Sequence, residues 1–347
     1  MSLLVASLVL AAMVAVAFMV PMPYVVQSPG VTENTLGTAN GKSVIRISGH
    51  KIYAVSGHLE LTTVQVTSPE YQPRLPDVLA AWISQEQAVV PRDVIYPPEQ
   101  SVKDVQEQTE TEMLDSQTAA VVAGLGEVGI DALAVTITEV SDGAPAQGVL
   151  KSGDVITDVD GAGVASSEQA ITAIRDVEPG SLVRLGIERG GAPSVVSLTT
   201  RANPDDERIS QIGASLTEVY DPPFKVKIKL GQDIGGPSAG LMFSLAIYDL
   251  LTPGQLTGGR FIAGTGTIEV SGEVGAIGGI RQKIAGAYKD GEGASVFLVP
   301  ADNCDEAGGS DLADDVMLVR VGTIDQAVVA LESIDAGDTS SLTMCGR

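Results

Sequence analysis

A glycine-rich segment around Ser238 is the part of the sequence best suited to nucleophilic chemistry. Residues 225–230 predict a strand and the apolar run 241–251 predicts a helix, so the serine lies at a strand-to-helix turn. Free backbone N–H groups at a helix N-terminus, here those around Gly236 and Ala239, can stabilise an oxyanion that develops on a substrate carbonyl. Ser238 is therefore a candidate nucleophile, and the alternative is an ordinary serine cap on a helix.

The candidate base is Lys283, which lies further along the chain in a segment that predicts a helix ending at Gly291. Ile280, Ile284 and Ala287 would form one apolar stripe on that helix, with Lys283 at its edge. An amine pressed against an apolar surface has a lowered pKa and can act as a general base near neutral pH. The alternative is a lysine whose stem covers the core while its amine stays in water.

Histidine is a poor candidate for the base. The spacing Gly236-x-Ser238-x-Gly240 is that of the nucleophile elbow of α/β-hydrolases, but that fold needs a histidine after the serine. The two histidines of the sequence, His50 and His58, both precede the serine. A histidine-dependent esterase, with His58 as the base, is the rival interpretation.

The composition argues against several other functions. The 347 residues include 21 lysines and arginines against 44 aspartates and glutamates, and the formal net charge of −23 argues against binding to nucleic acid. Two histidines and two cysteines are too scattered for a zinc site. Segment 37–43 is one residue short of a phosphate-binding loop, and the glycines of 124–129 precede a predicted strand at 132–140 where a dinucleotide site needs a helix. We therefore predict no metal, no ATP and no other cofactor.

The first 27 residues predict a transmembrane anchor. Residues 2–32 contain no charged side chain, and the apolar run 3–26 is long enough to cross a bilayer as a helix. The alternative is a cleaved signal peptide with its cleavage site at Ala15-Val16-Ala17. With an anchor, we expect a single-pass protein of the cell membrane, with an acidic soluble body outside the cytoplasm.

The two cysteines, Cys304 and Cys345, lie close to the C-terminus. In a reducing compartment they would be unrelated buried thiols. Behind a membrane anchor they predict one disulfide that holds the C-terminal tail and has no catalytic role.

The body is predicted to have three parts, 28–118, 119–204 and 205–347. In the first part, residues 43–67 alternate apolar and polar residues and predict an antiparallel β meander. Residues 102–114 predict an acidic helix that serves as a solvated spacer.

The middle part resembles a PDZ domain of the bacterial protease type. The resemblance rests on Leu150-Lys-Ser-Gly-Asp-Val-Ile156 followed by Val159-Asp-Gly161, and on a predicted helix capped by Ser166. It implies a groove between a strand edge and that helix, where an extended peptide adds as a strand. Backbone amides near Gly129 and Ile130 would hold the terminal carboxylate. The alternative is a module that packs against its neighbour and binds nothing.

The last part carries four ordered motifs that resemble the proteolytic domain of Lon-family Ser-Lys peptidases, over roughly residues 207–334. They are Gly236 to Gly240, Ala263 to Gly272, Val274 to Lys283 and Val296 to Asn303. The resemblance implies that Ser238 is the nucleophile, that Lys283 is its base and that Thr265 supports the lysine by a hydrogen bond. The ATP-dependent members have an aspartate where this chain has Gly235, with Asp233 two places earlier, so the loop geometry is expected to differ.

Taken together, the anchor, the PDZ-like part and the Lon-like part resemble the membrane-bound, ATP-independent Lon-like PDZ proteases of bacteria, which include a type with paired C-terminal cysteines. The predicted fold is a multidomain α+β protein, and the predicted activity is that of a serine endopeptidase acting on unfolded or flexible protein segments. A hexameric ring is implied by resemblance alone. The alternative is a catalytically silent, membrane-tethered PDZ scaffold. The sequence leaves open whether the PDZ domain is inserted within the protease fold.

Overall fold

The chain divides into two compact units, one of which is inserted into the other. The computed structural model describes residues 2–39, 41–231, 234–289 and 293–346. One unit combines Met1–Val128 with Phe224–Arg347, and the other is the segment Gly129–Pro223 between them. The sequence leaves open whether the PDZ-like part is inserted, and this division of the chain shows that it is.

Among its described residues, the segment before the insertion contains helices at both ends, with six strands and two shorter helices between them. Its elements are α1 (Ser2–Ala17), β1 (Tyr24–Asn34), β2 (Thr38–Ala39), β3 (Lys42–Ser43), β4 (Ile45–Ser48), β5 (His58–Val66), α2 (Leu75–Ile83), β6 (Ala88–Pro91), α3 (Arg92–Ile95) and α4 (Val102–Glu127).

The inserted unit is an antiparallel sheet with one helix. Its elements are β7 (Leu133–Val140), β8 (Val155–Val159), β9 (Ala162–Gly163), α5 (Ser167–Arg175), β10 (Leu182–Arg189), β11 (Ala192–Thr199), β12 (Arg201–Ala202), β13 (Ser210–Gln211) and β14 (Ala214–Tyr220). The strand order is β11-β10-β8-β7-β14, with β14 at one edge. As predicted, Ser166 caps α5, because its hydroxyl accepts a hydrogen bond from the N–H of Gln169 at 3.1 Å.

The segment after the insertion completes the first unit. Its elements are β15 (Lys225–Ile228), α6 (Gly240–Leu251), β16 (Phe261–Gly264), β17 (Thr267–Ile268), β18 (Val274–Gly275), α7 (Ile280–Lys289), β19 (Val296–Pro300), a 3₁₀ turn (Ala301–Asn303), α8 (Cys304–Gly308), β20 (Met317–Val321) and α9 (Ile324–Asp335). The predicted helix 241–251 is confirmed within one residue. Gly291, the predicted end of α7, lies outside the described residues.

A mixed sheet joins the two segments of this unit in the order β20-β19-β16-β5-β1-β6. The strands β5, β16, β19 and β20 are parallel neighbours, whereas β1 pairs antiparallel with both β5 and β6. The helix α7 packs against β1 and β5, and α6 packs against α4. The elements that carry Ser238 and Lys283 are therefore held by strands from the beginning of the chain.

The predicted meander over residues 43–67 is wrong. The strand β4 pairs with β15, while β5 pairs with β1 and β16, so the two strands of the expected meander lie in different sheets. Leu59 and Leu61 of β5 are completely buried. Burial inside the mixed sheet satisfies both edges of β5, which a hairpin with β4 would not do. The residues assigned to a separate part, 28–118, thus belong to the first unit.

The N-terminal segment also differs from the predicted anchor of 27 residues. The helix α1 covers 16 residues, and Tyr24 already begins strand β1. Val25 and Val26 are apolar because they are buried in the sheet. None of the helices in the described part of the chain combines the length and the apolar composition needed to cross a membrane.

The predicted disulfide between Cys304 and Cys345 is present in the structure, with the two Cα atoms 4.9 Å apart. Cys304 packs in the core cluster that includes Ile280 and Ile284 of α7, the helix that carries Lys283. The N–H of Cys345 donates to the carbonyl of Leu318 in β20. The bond thus joins the C-terminal tail to the core beneath α7.

Breaking this disulfide is expected to lower the stability of the first unit. A crosslink that spans 41 residues restricts the unfolded chain, and its loss should lower the free energy of unfolding by at most about 4 kcal/mol. Urea denaturation of wild type and Cys345→Ser, each with and without reductant, measures this change. The reductant should affect the wild type only. Equal midpoints for all four samples would contradict the stabilising role.

Candidate active site

Ser238 lies just before the first turn of α6, where the sequence places it. Gly236, two residues earlier, has a positive φ of 82°, a conformation that favours glycine and allows the sharp turn into the helix. The carbonyl of Ser238 accepts two hydrogen bonds at 2.9 Å, from the hydroxyl of Thr265 and from the N–H of Gly266. The carbonyl of the candidate nucleophile is therefore held by two hydrogen bonds.

The Lys283 amine and the Ser238 hydroxyl are in direct contact. The distance from Lys283 Nζ to Ser238 Oγ is 2.9 Å, although the two residues belong to different helical segments. Lys283 Nζ also donates to the backbone carbonyl of Thr62 at 2.6 Å. This second bond orients the amine, so that the lone pair of its neutral form can face the serine hydroxyl.

The surroundings of Lys283 favour its neutral form. The residue is only 3% exposed, and burial lowers the pKa of its amine to about 8. An ammonium ion loses its water in such a site, and no carboxylate among the described residues forms an ion pair with it. The snorkelling alternative does not apply, because the amine itself is buried.

Thr62 is a residue that the sequence analysis missed. It lies in β5, is buried, and contacts the lysine through its backbone carbonyl, while its hydroxyl donates to the carbonyl of Gly264 at 3.1 Å. Because the contact with Lys283 is made by the main chain, the residue type of Thr62 carries no signal for it. Thr62 pairs with Thr32 of β1 and its neighbour Leu61 pairs with Gly264 of β16, so the pairing of β5 with both strands sets the position of this carbonyl.

Thr265 does not make the contact that the resemblance implies. Its hydroxyl donates to the carbonyl of Ser238, and among the described residues the hydrogen-bond partners of the lysine amine are Thr62 and Ser238. Thr265 is completely buried, so its hydroxyl needs a partner, and the nearest main chain supplies one. Among the described residues, Thr265 therefore contacts the candidate nucleophile and not the candidate base.

The two glycines before the serine are held by α4, contrary to the solvated spacer predicted for residues 102–114. The N–H of Gly236 donates to the carbonyl of Thr109 at 3.2 Å, and a Cβ on Gly235 would lie 2.6 Å from Thr109 Cγ2. The second half of α4 is buried, including residues 120–125. The N–H of Gly236 is therefore occupied and unavailable to an oxyanion, whereas the N–H of Ala239 donates to no described residue.

Asp233, the aspartate that lies two places before Gly235, is outside the described residues. The clash at Gly235 gives a physical reason for glycine at the position where the ATP-dependent members have aspartate, because α4 occupies the space that a side chain would need.

A cavity of about 830 Å³ opens onto Ser238 and Lys283. Its walls come mainly from β1, β5, α4 and residues 234–239, the loop that carries Ser238. The lining residues are Pro29, Gly30, Val31, Glu33, Leu61, Thr62, Thr63, Val64, Gln65, Thr109, Met113, Gly231, Ile234, Gly235, Ser238, Ala239, Gly278 and Lys283. We call this cavity the cleft. It is large enough to take several residues of an extended chain.

His58, the base of the rival esterase interpretation, is engaged elsewhere. Its Nδ1 lies 2.8 Å from a carboxylate oxygen of Glu60, and its ring stacks on Phe261. The hydroxyl of Ser238 contacts Lys283 instead. Within the described ranges, no cluster of three acidic, histidine or cysteine side chains could hold a metal ion.

The inserted unit has a groove between α5 and the edge strand β14. It is lined by Ile171, Ile174, Arg175, Asn203, Ser210, Gln211, Ile212, Gly213, Ala214 and Leu216. Gly129 and Ile130, the predicted carboxylate-binding residues, are not among them. They precede β7, which is an interior strand between β8 and β14, so the loop that leads to the edge strand is the one before Ala214.

Two family models match the chain over separate segments. Residues 231–331 match the Lon protease (S16) C-terminal proteolytic domain, and residues 104–200 match the PDZ domain. The chain is thus a mixed α+β protein with a Lon-type proteolytic domain and a PDZ domain. The first match contains Ser238, Thr265 and Lys283.

Individual proteins also resemble parts of the chain, and two Lon proteases agree with the first of these matches. The Lon protease of Campylobacter concisus is 35% identical over 100 residues, which are 29% of this chain and 11% of that protein. The Lon protease of Fusobacterium nucleatum is 41% identical over 68 residues, 20% of this chain and 8% of that protein. The chain thus spans about a tenth of the length of these curated relatives. The PDZ domain of the SdrC-like protein from Listeria monocytogenes is 28% identical, covering 24% of this chain and 87% of that structure with a TM-score of 0.23.

Proposed function

We propose that the chain is a serine endopeptidase in which Ser238 is the nucleophile and Lys283 is the general base. The observation that carries this proposal is the 2.9 Å contact between the Lys283 amine and the Ser238 hydroxyl, made by an amine that is almost completely buried. With a pKa of about 8, the amine is neutral in roughly one molecule in ten at pH 7. That fraction suffices for general-base catalysis at physiological pH.

The reaction follows from these positions. Neutral Lys283 takes the hydroxyl proton of Ser238 while Oγ adds to the peptide carbonyl, and the tetrahedral intermediate expels the amine, which receives the proton from the lysine. The resulting ester is attacked by water, whose proton again passes to Lys283. The second tetrahedral intermediate expels Oγ, which takes the proton back from Lys283, and the carboxylic acid product gives its remaining proton to solvent; both residues are then restored.

The substrate in this proposal is an extended segment of an unfolded or flexible protein. The strand β1 continues beyond the four residues that pair with β6, and Pro29, Gly30 and Val31 line the cleft beside the serine. A chain in the cleft must be extended to reach the serine, so a folded domain does not qualify. We further propose that cleavage does not require ATP. Segment 37–43 is one residue short of a phosphate-binding loop, and in it Thr38–Ala39 pairs with Lys42–Ser43 as the short strands β2 and β3; Asn40 lies outside the described residues.

A fluorophosphonate probe tests the proposed nucleophile. Attack by Ser238 Oγ on phosphorus expels fluoride and leaves a stable phosphonyl serine, which peptide mapping by mass spectrometry can locate. We expect one modified peptide, containing Ser238, in wild type and in His58→Ala. An adduct on another serine, or loss of labelling in His58→Ala, would reject the dyad.

We also propose that the groove between α5 and β14 binds substrate peptides by strand addition. Replacing Ile171, an exposed residue of the groove, with aspartate should then slow cleavage of a long unfolded protein several-fold, because apolar contact with the peptide is lost. Cleavage of a short peptide that reaches only the cleft should not change. Steady-state cleavage of both substrates measures the effect.

The matched control for the groove is Thr172→Asp, which places the same charge at an exposed position of α5 outside the groove. It should behave as wild type with both substrates. If Ile171→Asp also leaves the long substrate unaffected, the groove has no role in substrate capture.

Finally, we propose that α1 attaches the protein to a membrane and that the body lies outside the cytoplasm. The helix contains no charged residue, and Leu4, Leu8 and Met13 expose their apolar side chains. The disulfide fits an oxidising compartment. Digestion of the body by external protease on intact cells supports this topology, and protection of the body until the cells are lysed contradicts it.

A further inference from the structure

We propose that the hydroxyl of Ser116 positions the oxyanion hole. It fixes the peptide unit between Pro237 and Ser238, so that the N–H of Ser238, together with that of Ala239, is presented to the oxyanion. The inference rests on the proposed peptidase function and adds to it a residue from α4 that touches neither the substrate nor the dyad.

The hydrogen bond of Ser116 is unlike those of the other α4 hydroxyls. The hydroxyls of Thr109, Thr111 and Thr118 each donate to the carbonyl four residues earlier in their own helix. Ser116 Oγ donates instead to the carbonyl of Pro237 at 2.9 Å. The serine is only 6% exposed, so this bond is shielded from water.

Holding this carbonyl determines where the adjacent N–H points. The described chain has no cis peptide bond, so the C=O of Pro237 and the N–H of Ser238 point in opposite directions across one planar unit. The same reasoning applies to the next unit, because the carbonyl of Ser238 is held by Thr265 and Gly266. Two consecutive peptide units are thus anchored by their carbonyls, each with a buried hydroxyl as one donor.

The N–H groups of Ser238 and Ala239, which these carbonyl contacts orient, are available to a substrate. Neither Ser238 N–H nor Ala239 N–H donates to another described residue, and both residues line the cleft. Gly236 N–H is bound to Thr109, and Pro237 has no N–H, so within the described residues 236–239 the N–H groups without a partner are those of Ser238 and Ala239. A pair of fixed N–H groups beside a nucleophile is what stabilises the charge of a tetrahedral intermediate.

A purely structural role for Ser116 would give a different result when the hydroxyl is removed. The hydroxyl also lies under α6, since a Cβ on Gly240 would come within 3.0 Å of Ser116 Oγ. If Ser116 only fills space, Ser116→Ala should lower the stability of the protein. It should then weaken the binding of a charged tetrahedral adduct no more than it weakens the binding of substrate.

The test uses the full chain and a peptide boronate. Ser238 Oγ adds to boron, the hydroxyl proton passes to Lys283, and a boron-bound oxygen occupies the position of the oxyanion. In Ser116→Ala we expect kcat to fall 10- to 100-fold, KM to change less than threefold, and the inhibition constant of the boronate to rise in parallel with the loss of kcat/KM. The midpoint of the pH profile of kcat/KM should stay near 8, because Lys283 keeps both of its contacts.

The matched control is Ser244→Ala. Ser244 is a buried serine in α6 whose hydroxyl donates to the carbonyl of Leu241 in its own helix, so its loss tests burial without touching the Pro237 carbonyl. It should keep wild-type kcat and boronate affinity. Equal effects in both variants, or unchanged boronate affinity in Ser116→Ala, would overturn the positioning role alone. Absence of a boronate adduct at Ser238 in the wild type would overturn the peptidase function and this inference with it.

Discussion

Replacing Ser238 with alanine is expected to lower kcat for a peptide substrate by about four to six orders of magnitude, as loss of the nucleophile does in other serine hydrolases. That loss corresponds to about 5 to 8 kcal/mol of transition-state stabilisation. The variant should fold normally, because the side chain is only half-buried and Oγ makes a single described contact. Peptide cleavage monitored over hours, together with the thermal midpoint, measures both effects.

The double variant Ser238→Ala/Lys283→Met provides a stricter test of the dyad. Residues that act as one unit are not additive, so the double variant should be no slower than Ser238→Ala alone. A further loss of a hundredfold or more would show that Lys283 acts independently of the serine, which contradicts the direct contact between them.

Replacing Lys283 with methionine is expected to abolish cleavage to a similar extent. Methionine fills a comparable volume without an amine, so the base is removed while the packing of α7 against β1 and β5 is kept. Folding should survive, since an apolar side chain suits a site that is 3% exposed. The measurement is the rate of fluorophosphonate labelling at Ser238, which should fall in step with peptide cleavage.

Two comparisons separate the base from a simple positive charge. Lys283→Arg keeps a side chain that stays positively charged throughout the physiological pH range, so it should be as inactive as Lys283→Met if a neutral amine is required. Lys289→Met removes an exposed lysine from the same helix, where it pairs with Glu86, and should keep full activity. Substantial activity in Lys283→Arg would contradict the general-base role.

The contact between Ser238 and Lys283 could be predicted from the sequence because both residues make it through their side chains. The glycines around Ser238 indicate a tight turn, and the spacing of Ile280, Ile284 and Ala287 predicts the apolar face on which Lys283 lies. The helix boundaries follow from local capping signals such as Thr323, whose hydroxyl accepts from the N–H of Gln326 at 3.2 Å.

The surroundings of the dyad could not be predicted in the same way. The Thr62 carbonyl reaches Lys283, and the Thr109 carbonyl reaches Gly236, through main-chain atoms of distant segments. Such contacts depend on which strands pair, and the alternation of β5 is compatible with either a hairpin or an interior strand.

The role of α4 was missed because its two halves differ. Residues 102–114 are rich in charge and indicate a solvated helix, whereas residues 120–125 are apolar all round and are buried. Near the end of the acidic half, Met113 is buried and lines the cleft. Ser116 lies in the same turn, so the change from a solvated to a packed helix occurs where α4 meets the candidate site.

The pH profile of kcat/KM for a short peptide tests the central claim most directly, because it reports the pKa of the essential base in the free enzyme. Cleavage requires a neutral amine, so the rate should rise tenfold per pH unit below the midpoint, reach half its maximum near pH 8 and level off above it. The profile of His58→Ala should coincide with that of the wild type. A midpoint that disappears in His58→Ala, or a rate that is constant across the pH range, would contradict the account of Lys283 as the base.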